Sequence, residues 1–151
     1  MRRIFVILLL LIMPLAISCR PIANTGTAAV VEPLAGGEFN KFFPKDEGDY
    51  NVLYTQEKEG FAQARLNLNG VEVATLSVSD TAISVDALDK FKESKEEVAG
   101  YPAAAVGMLG TAILVADRFQ VQVRSKDASF TAEDRTAWIE KFDLDGLAAL
   151  Q

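Results

Sequence analysis

The chain has 151 residues, half of them hydrophobic, 24% charged and 9% aromatic, which predicts one globular domain. Fifteen Lys and Arg against 21 Asp and Glu give a net charge of −6. Such a chain is a poor nucleic-acid binder, because neutralising phosphates requires clustered cations. With no His and one Cys, the chain lacks the commonest general base and zinc ligand and cannot form an intrachain disulfide, so we expect no metal site or cofactor.

The N-terminus has the pattern of an export signal. Arg2 and Arg3 precede an apolar stretch over residues 4–17, which Pro14 interrupts. A membrane-spanning helix needs about 20 apolar residues. The shorter stretch therefore favours a cleaved signal peptide over the alternative, an uncleaved anchor helix.

The signal ends in Ala16-Ile17-Ser18-Cys19, which resembles the lipobox of bacterial lipoproteins. Ala16 stands where Leu is usual, and Ile17 is bulkier than the usual small residue. The resemblance implies that residues 1–18 are removed and that the thiol of Cys19 carries a diacylglycerol and its amine an acyl chain such as palmitate. It also implies a protein that is exported and lipid-anchored to a bacterial membrane, facing the periplasm or the outside of the cell.

Several acyl chains make a stable membrane anchor, whereas a single chain is marginal. Without residues 1–18 the chain loses two Arg, so its net charge becomes −8 rather than −6. Anionic lipid repels an acidic body. We therefore expect the body to stand off the bilayer.

Residues 19–37 are predicted to form the lipidated N-terminus and a flexible tether, and residues 38–151 a single α+β domain. The tether is rich in Ala, Gly, Thr and Pro and has no periodic pattern, although residues 28–31 could form an edge strand. Residues 38–44 predict one helical turn that Pro44 ends, with its three Phe covering the core.

The first hairpin is the clearest structural signal. Residues 61–69 alternate between apolar and polar side chains, as a half-buried strand does, and residues 51–55 predict an earlier strand. Asn69-Gly70 is a preferred pair for a type I′ turn, in which both residues have positive φ. A phase change near Val73 predicts a β-bulge. The turn should align two pairs of apolar residues on the core face: Leu68 with Val71, and Leu66 with Val73.

The second half of the chain predicts a helix over residues 84–99, a second hairpin over 111–125 and a C-terminal helix. We place the hairpin turn at Asp117-Arg118, with Ala116 opposite Phe119 and Leu114 opposite Val121; one long strand is the alternative. Thr131 to Asp134 resembles a capping box. The helix that follows should bury three side chains: Trp138, Ile139 and Phe142. The predicted fold is a small antiparallel sheet built from hairpins, with two helices packed on one face.

Few residues occur in a pattern that indicates a catalytic, metal-binding or interaction role. Asp143 and Asp145 resemble the start of a calcium loop, but the further oxygen ligands and the Glu at the twelfth position are missing. Tyr101, Arg118 and Trp138 are candidate interaction residues, because Tyr, Trp and Arg are enriched at binding hot spots. Core burial of the two aromatic residues and a hairpin tip for Arg118 are the alternatives.

The sequence combines a lipid-anchor signal with no recognisable active site. This combination predicts a non-enzymatic accessory lipoprotein that binds or steadies a protein partner at the envelope. One alternative is a carrier or binding module for a small apolar ligand, which needs a cavity between sheet and helices. The other is an enzyme that uses carboxylates or Lys in a His-free site.

Overall fold

The structure is a computed structural model that describes residues 31–150. The export signal, the lipobox and Cys19 lie outside the described residues. The described chain forms one sheet of seven strands in the spatial order β1-β2-β3-β7-β6-β5-β4, and every neighbouring pair is antiparallel. The strands are β1 (Tyr50–Lys58), β2 (Phe61–Leu68), β3 (Val71–Asp80), β4 (Glu96–Val98), β5 (Tyr101–Ala105), β6 (Gly110–Val115) and β7 (Phe119–Ser125).

Short helices accompany this sheet, so the predicted α+β class is confirmed. They are α1 (Asp89–Lys92), α2 (Ala132–Ile139) and α3 (Leu144–Ala148), with 3₁₀ helices at Gly36–Phe42, Thr81–Ile83 and Val85–Leu88. The first 3₁₀ helix, α2 and α3 pack their apolar side chains into one buried cluster with the sheet. The three predicted Phe of residues 38–44 belong to this main core: Phe39, Phe42 and Phe43.

The first hairpin has the predicted turn. Asn69 and Gly70 have φ values of 51° and 81°, and Leu68 lies opposite Val71. The predicted bulge is also present, but it shifts the register so that Leu66 lies opposite Ala74 rather than Val73. Val71, although paired as predicted, is 66% exposed, so its predicted place on the core face is wrong.

Replacing Gly70 by Val is expected to destabilise the protein by about 1–3 kcal/mol, because Val at positive φ is strained. A Cβ at Gly70 meets no atom within 4 Å, so the backbone conformation is the source of the loss. Gly70→Asn is the matched control and should cost less, since Asn tolerates this conformation better. Urea melts of both variants measure the difference, and equal, negligible losses would contradict the turn assignment.

The register of the second hairpin differs from the prediction. Val115 lies opposite Phe119 and Ile113 opposite Val121, because residues 116–118 form the loop and Ala116 and Asp117 both have φ of 53°. Ile113 and Val115 therefore join the main core, whereas Leu114 belongs to a small cluster of its own. A strand that is apolar on both faces has no alternation from which its register can be predicted.

The predicted helix over 84–99 is only partly helical. It consists of the 3₁₀ helix Val85–Leu88 and α1, after which residues 96–98 form β4. Val98 pairs with Tyr101 across a tight turn, which shows that strand pairing overrides the helical pattern there. Phe91 of α1 packs against Ala112 and Leu114 in the second cluster, so this segment covers the side of β6 opposite to the main core.

Residues 31–37, assigned to the tether by sequence, lie on the folded domain. The Leu34 carbonyl accepts from the Gly60 N–H at 2.6 Å, and the Leu34 N–H donates to Asp80 Oδ2 at 3.1 Å. Leu34 also packs against the main core. The folded region therefore begins earlier than residue 38.

The C-terminal helix has the predicted capping box, in which Thr131 and Asp134 cap each other's backbone N–H groups. Trp138, Ile139 and Phe142 are buried as predicted. Asp143 accepts a hydrogen bond from the Gly146 N–H at 2.9 Å. Its carboxylate therefore caps α3.

Candidate binding surface

The three candidate interaction residues lie in separate environments. Trp138 is 4% exposed, and its ring centroid lies 5.0 Å from that of Tyr50. Tyr101 is half-buried against the main core. Among residues 31–150 no hydrogen bond, ion pair or ring contact joins any two of Tyr101, Arg118 and Trp138. They therefore do not form a shared patch of contacting side chains.

Arg118 binds a buried carboxylate. Its Nε donates to Asp80 Oδ1 at 3.0 Å and its Nη2 to Asp80 Oδ2 at 2.7 Å. Nη2 also donates to the Glu32 carbonyl at 3.0 Å. The Asp80 carboxylate, 0% exposed, accepts further from the N–H groups of Leu34 and Ala82. Arg118 therefore joins the end of β3 to the N-terminal segment.

Burial alone would raise the pKa of Asp80. The hydrogen bonds from Arg118 and from the backbone N–H groups of Ala82 and Leu34 outweigh it and lower the pKa below its ordinary value. The carboxylate is therefore ionised over the neutral range, where it balances the guanidinium.

The buried guanidinium of Arg135, on α2, is held by hydroxyl groups. Its Nε donates to Thr111 Oγ1 and its Nη1 to Ser125 Oγ, both at 2.9 Å. Ser125 Oγ in turn donates to the Phe130 carbonyl at 2.6 Å. These bonds fix α2 to β6 and β7, so we assign Arg135 to the scaffold.

The face of the sheet opposite to the main core carries a depression of about 300 Å³ across three adjacent strands, β2, β3 and β7. The side chains that line this depression project from β2, β3 and β7, where they alternate along each strand with the residues that point into the core. We call it the polar groove. It is lined by Phe61, Gln63, Thr75, Ser77, Ser79, Gln120, Gln122 and Arg124.

Strand register brings the groove residues together. Gln63, Ser77 and Gln122 lie opposite one another on the three strands, and Phe61, Ser79 and Gln120 form the neighbouring row. The sequence pattern places the β2 and β7 side chains outside the core. It does not predict that β3 pairs with β7, so their meeting in one groove could not be foreseen.

Gln120 has an unusual environment in the polar groove. The residue is 9% exposed, and its Nε2 donates to Gln122 Oε1 at 3.3 Å. Its Oε1 is buried and has no hydrogen-bond partner among the described protein groups. Buried polar atoms are normally paired, so this amide oxygen marks a position where an incoming donor is favoured.

The lining of the groove can bind but has few groups for catalysis. None of its eight lining residues is Asp, Glu, Lys or Cys, so the lining itself supplies no carboxylate or amine base for its Ser and Thr hydroxyls. Within residues 31–150 no group of three or more Asp, Glu, His or Cys side chains could hold a metal ion.

The described part of the chain contains no helix that is long and apolar enough to cross a membrane. Comparison with known proteins found no matching family model, no matching curated protein and no matching solved structure.

Proposed function

We propose that this protein is a lipid-anchored, non-enzymatic accessory protein of a bacterial envelope, and that it holds a partner there through the polar groove. One observation carries the binding part of the proposal. One face of the sheet packs apolar side chains against the first 3₁₀ helix, α2 and α3. On the other face α1 covers β6, while β2, β3 and β7 carry a concave polar surface.

The anchor part of the proposal rests on the sequence. Cys19 is the only Cys in the chain, and it follows a lipobox-like segment that would make it the first residue of the mature protein. Acylation of its thiol would keep the acidic body beside the membrane.

The two alternative functions have less support. An apolar carrier needs a hollow between sheet and helices, but one continuous cluster of buried side chains occupies that layer. A carboxylate- or Lys-based enzyme needs acidic or amine groups in a cleft, and the lining of the polar groove contains neither. A second, open depression of about 540 Å³ has such groups in its lining: Lys41, Lys45, Asp46, Glu47, Lys141 and Asp143. There Glu47 pairs with Lys141, while Asp46 and Asp143 accept from backbone N–H groups, so three of its carboxylates have structural partners.

Replacing residues 1–19 by a cleavable export signal without a lipobox is expected to move the folded protein from the membrane pellet to the soluble fraction. The same exchange should remove its crosslinks to partners in native membranes, because the lipid would no longer hold the protein beside them. A photo-crosslinking residue at Gln63 of the unaltered chain should give a partner adduct, whereas one at exposed Glu140 should not.

Ser18→Ala serves as the control, since it keeps a small residue before the cut and should leave membrane attachment unchanged. Persistent membrane association of the exchanged protein would contradict the anchor. Recovery of uncrosslinked monomer alone from native membranes would contradict the proposal that the protein binds a partner there.

A further inference from the structure

The floor of the polar groove consists of uncharged groups that form hydrogen bonds. Three of the five Gln of the chain lie there, at positions 63, 120 and 122, beside the hydroxyls of Thr75, Ser77 and Ser79. An amide offers both donors and an acceptor, and a hydroxyl can act as either. The groove thus presents a dense array of hydrogen-bonding groups without a negative charge.

These groups argue against several classes of ligand. Nucleic acids and other polyanions need clustered cations, and Arg124 is the single cation in the lining. An apolar ligand would cover the amides without satisfying them, which is unfavourable. An extended peptide adds to the free edge of a sheet, whereas β3, at the centre of the groove, is already paired with β2 and β7.

We propose that the polar groove binds an uncharged saccharide chain, an inference that rests on the proposed function and names its ligand class. The unpartnered Oε1 of Gln120 is buried, so a sugar hydroxyl donates to it once the Gln120 side chain turns toward the groove, and the same hydroxyl accepts from a neighbouring amide. The half-buried Phe61, over whose ring Lys58 Nζ lies 5.0 Å from the centroid, adds apolar surface for the C–H groups of a sugar at one end. The exposed guanidinium of Arg124 supplies several donors at the other.

The size of the groove agrees with a short stretch of saccharide. Its volume of about 300 Å³ lies at the lower end of the range for small-molecule sites, about 300–1,000 Å³. The binding groups stand on the paired strands β2, β3 and β7, so binding orders side chains, chiefly the three Gln and Arg124, rather than backbone.

The test titrates the full-length lipidated protein, in a detergent without a sugar head group, with two defined probes. These are the β-1,4-linked tetramer of N-acetylglucosamine and the α-linked maltotetraose, which distinguish an amino-sugar polymer from a glucan. We expect at least one probe to bind with a dissociation constant of about 1 mM or lower. The side-chain amide NMR signals of Gln63, Gln120 and Gln122 should shift, while that of Gln56, outside the groove, should not.

Variants then locate the site. Gln122→Ala and Ser77→Ala should each weaken binding about three- to tenfold, the effect of one net hydrogen bond. Gln120→Met, which keeps the side-chain volume and removes the unpartnered acceptor, should weaken binding and leave the protein at least as stable as the parent. Gln56→Ala is the control and should bind normally.

Failure of both probes to bind, or binding that Gln122→Ala and Gln120→Met leave unchanged, would overturn the inference. So would loss of a protein crosslink in the groove variants while neither saccharide binds, because the groove would then be a protein-docking surface. The titration takes place in detergent, so its failure leaves the membrane-attachment result intact and the two proposals can fail separately.

Discussion

Asp80→Asn is expected to destabilise the protein by about 3–5 kcal/mol, the usual cost of removing one partner from a buried ion pair. The substitution leaves the Arg118 guanidinium, whose side chain is 19% exposed, without its counter-charge. The Asn amide also places a donor where Arg118 or the N–H of Leu34 now donates. Urea denaturation at pH 7 measures the loss.

The control is Asp49→Asn, which neutralises an exposed carboxylate in a loop and should change stability by less than about 0.5 kcal/mol. A double-mutant cycle with Arg118→Gln should show strong coupling. Equal losses for Asp80→Asn and Asp49→Asn would show that the pair contributes little to stability.

The same pair predicts how stability depends on pH. The pKa of Asp80 is lower in the folded state than its ordinary value of about 3.9. Its contribution is therefore complete above that value and is lost as the pH falls through the lower, folded-state pKa. The Asp80→Asn variant should lose less stability than the parent protein between neutral and acidic pH.

Gly36→Ala is expected to cost about 3 kcal/mol or more, at the upper end of the cost of overpacking. A Cβ at Gly36 would overlap the carbonyl oxygens of Lys58 and Phe61 and would lie 2.6 Å from the Lys58 nitrogen. All three atoms belong to the backbone of the β1–β2 hairpin, so the 3₁₀ helix must move away from the sheet. Thermal melts of the variant measure the effect.

Gly37→Ala provides the control at the next position of the same helix. Its Cβ would meet only Glu57 Oε2, at 3.4 Å, which belongs to a flexible side chain. We expect no loss, or a gain of a few tenths of a kcal/mol from the stiffer unfolded chain. Similar melting temperatures for the two variants would show that the close approach at Gly36 does not constrain the fold.

Local signals in the sequence were sufficient for the β2–β3 hairpin and for α2. Asn69-Gly70 and the capping residues of α2 act over a few positions, so their structural effect is visible in the sequence alone. The register of β6 was not predictable in this way, because Leu114 and Ile113 are both buried, on opposite faces.

The Asp80–Arg118 ion pair and the polar groove could not be predicted from the sequence, because both depend on pairing between residues far apart in the chain. Asp80 and Arg118 are separated by 38 positions, and neither has a local pattern that identifies its partner. The polar groove likewise depends on the pairing of β3 with β7, strands that a long connecting segment separates. Alternation indicates which face a side chain occupies, but it does not indicate which strands are neighbours.

The contacts of residues 32–34 also determine how the domain would respond to mechanical force. A pull on the chain preceding residue 31 would first reach the Glu32 carbonyl, held by Arg118, and then Leu34, held by Gly60 and Asp80. These bonds end on the β1–β2 turn, on β3 and on the loop before β7. The load is therefore distributed over three points of the sheet before it reaches β1, an edge strand that could otherwise be peeled away one hydrogen bond at a time.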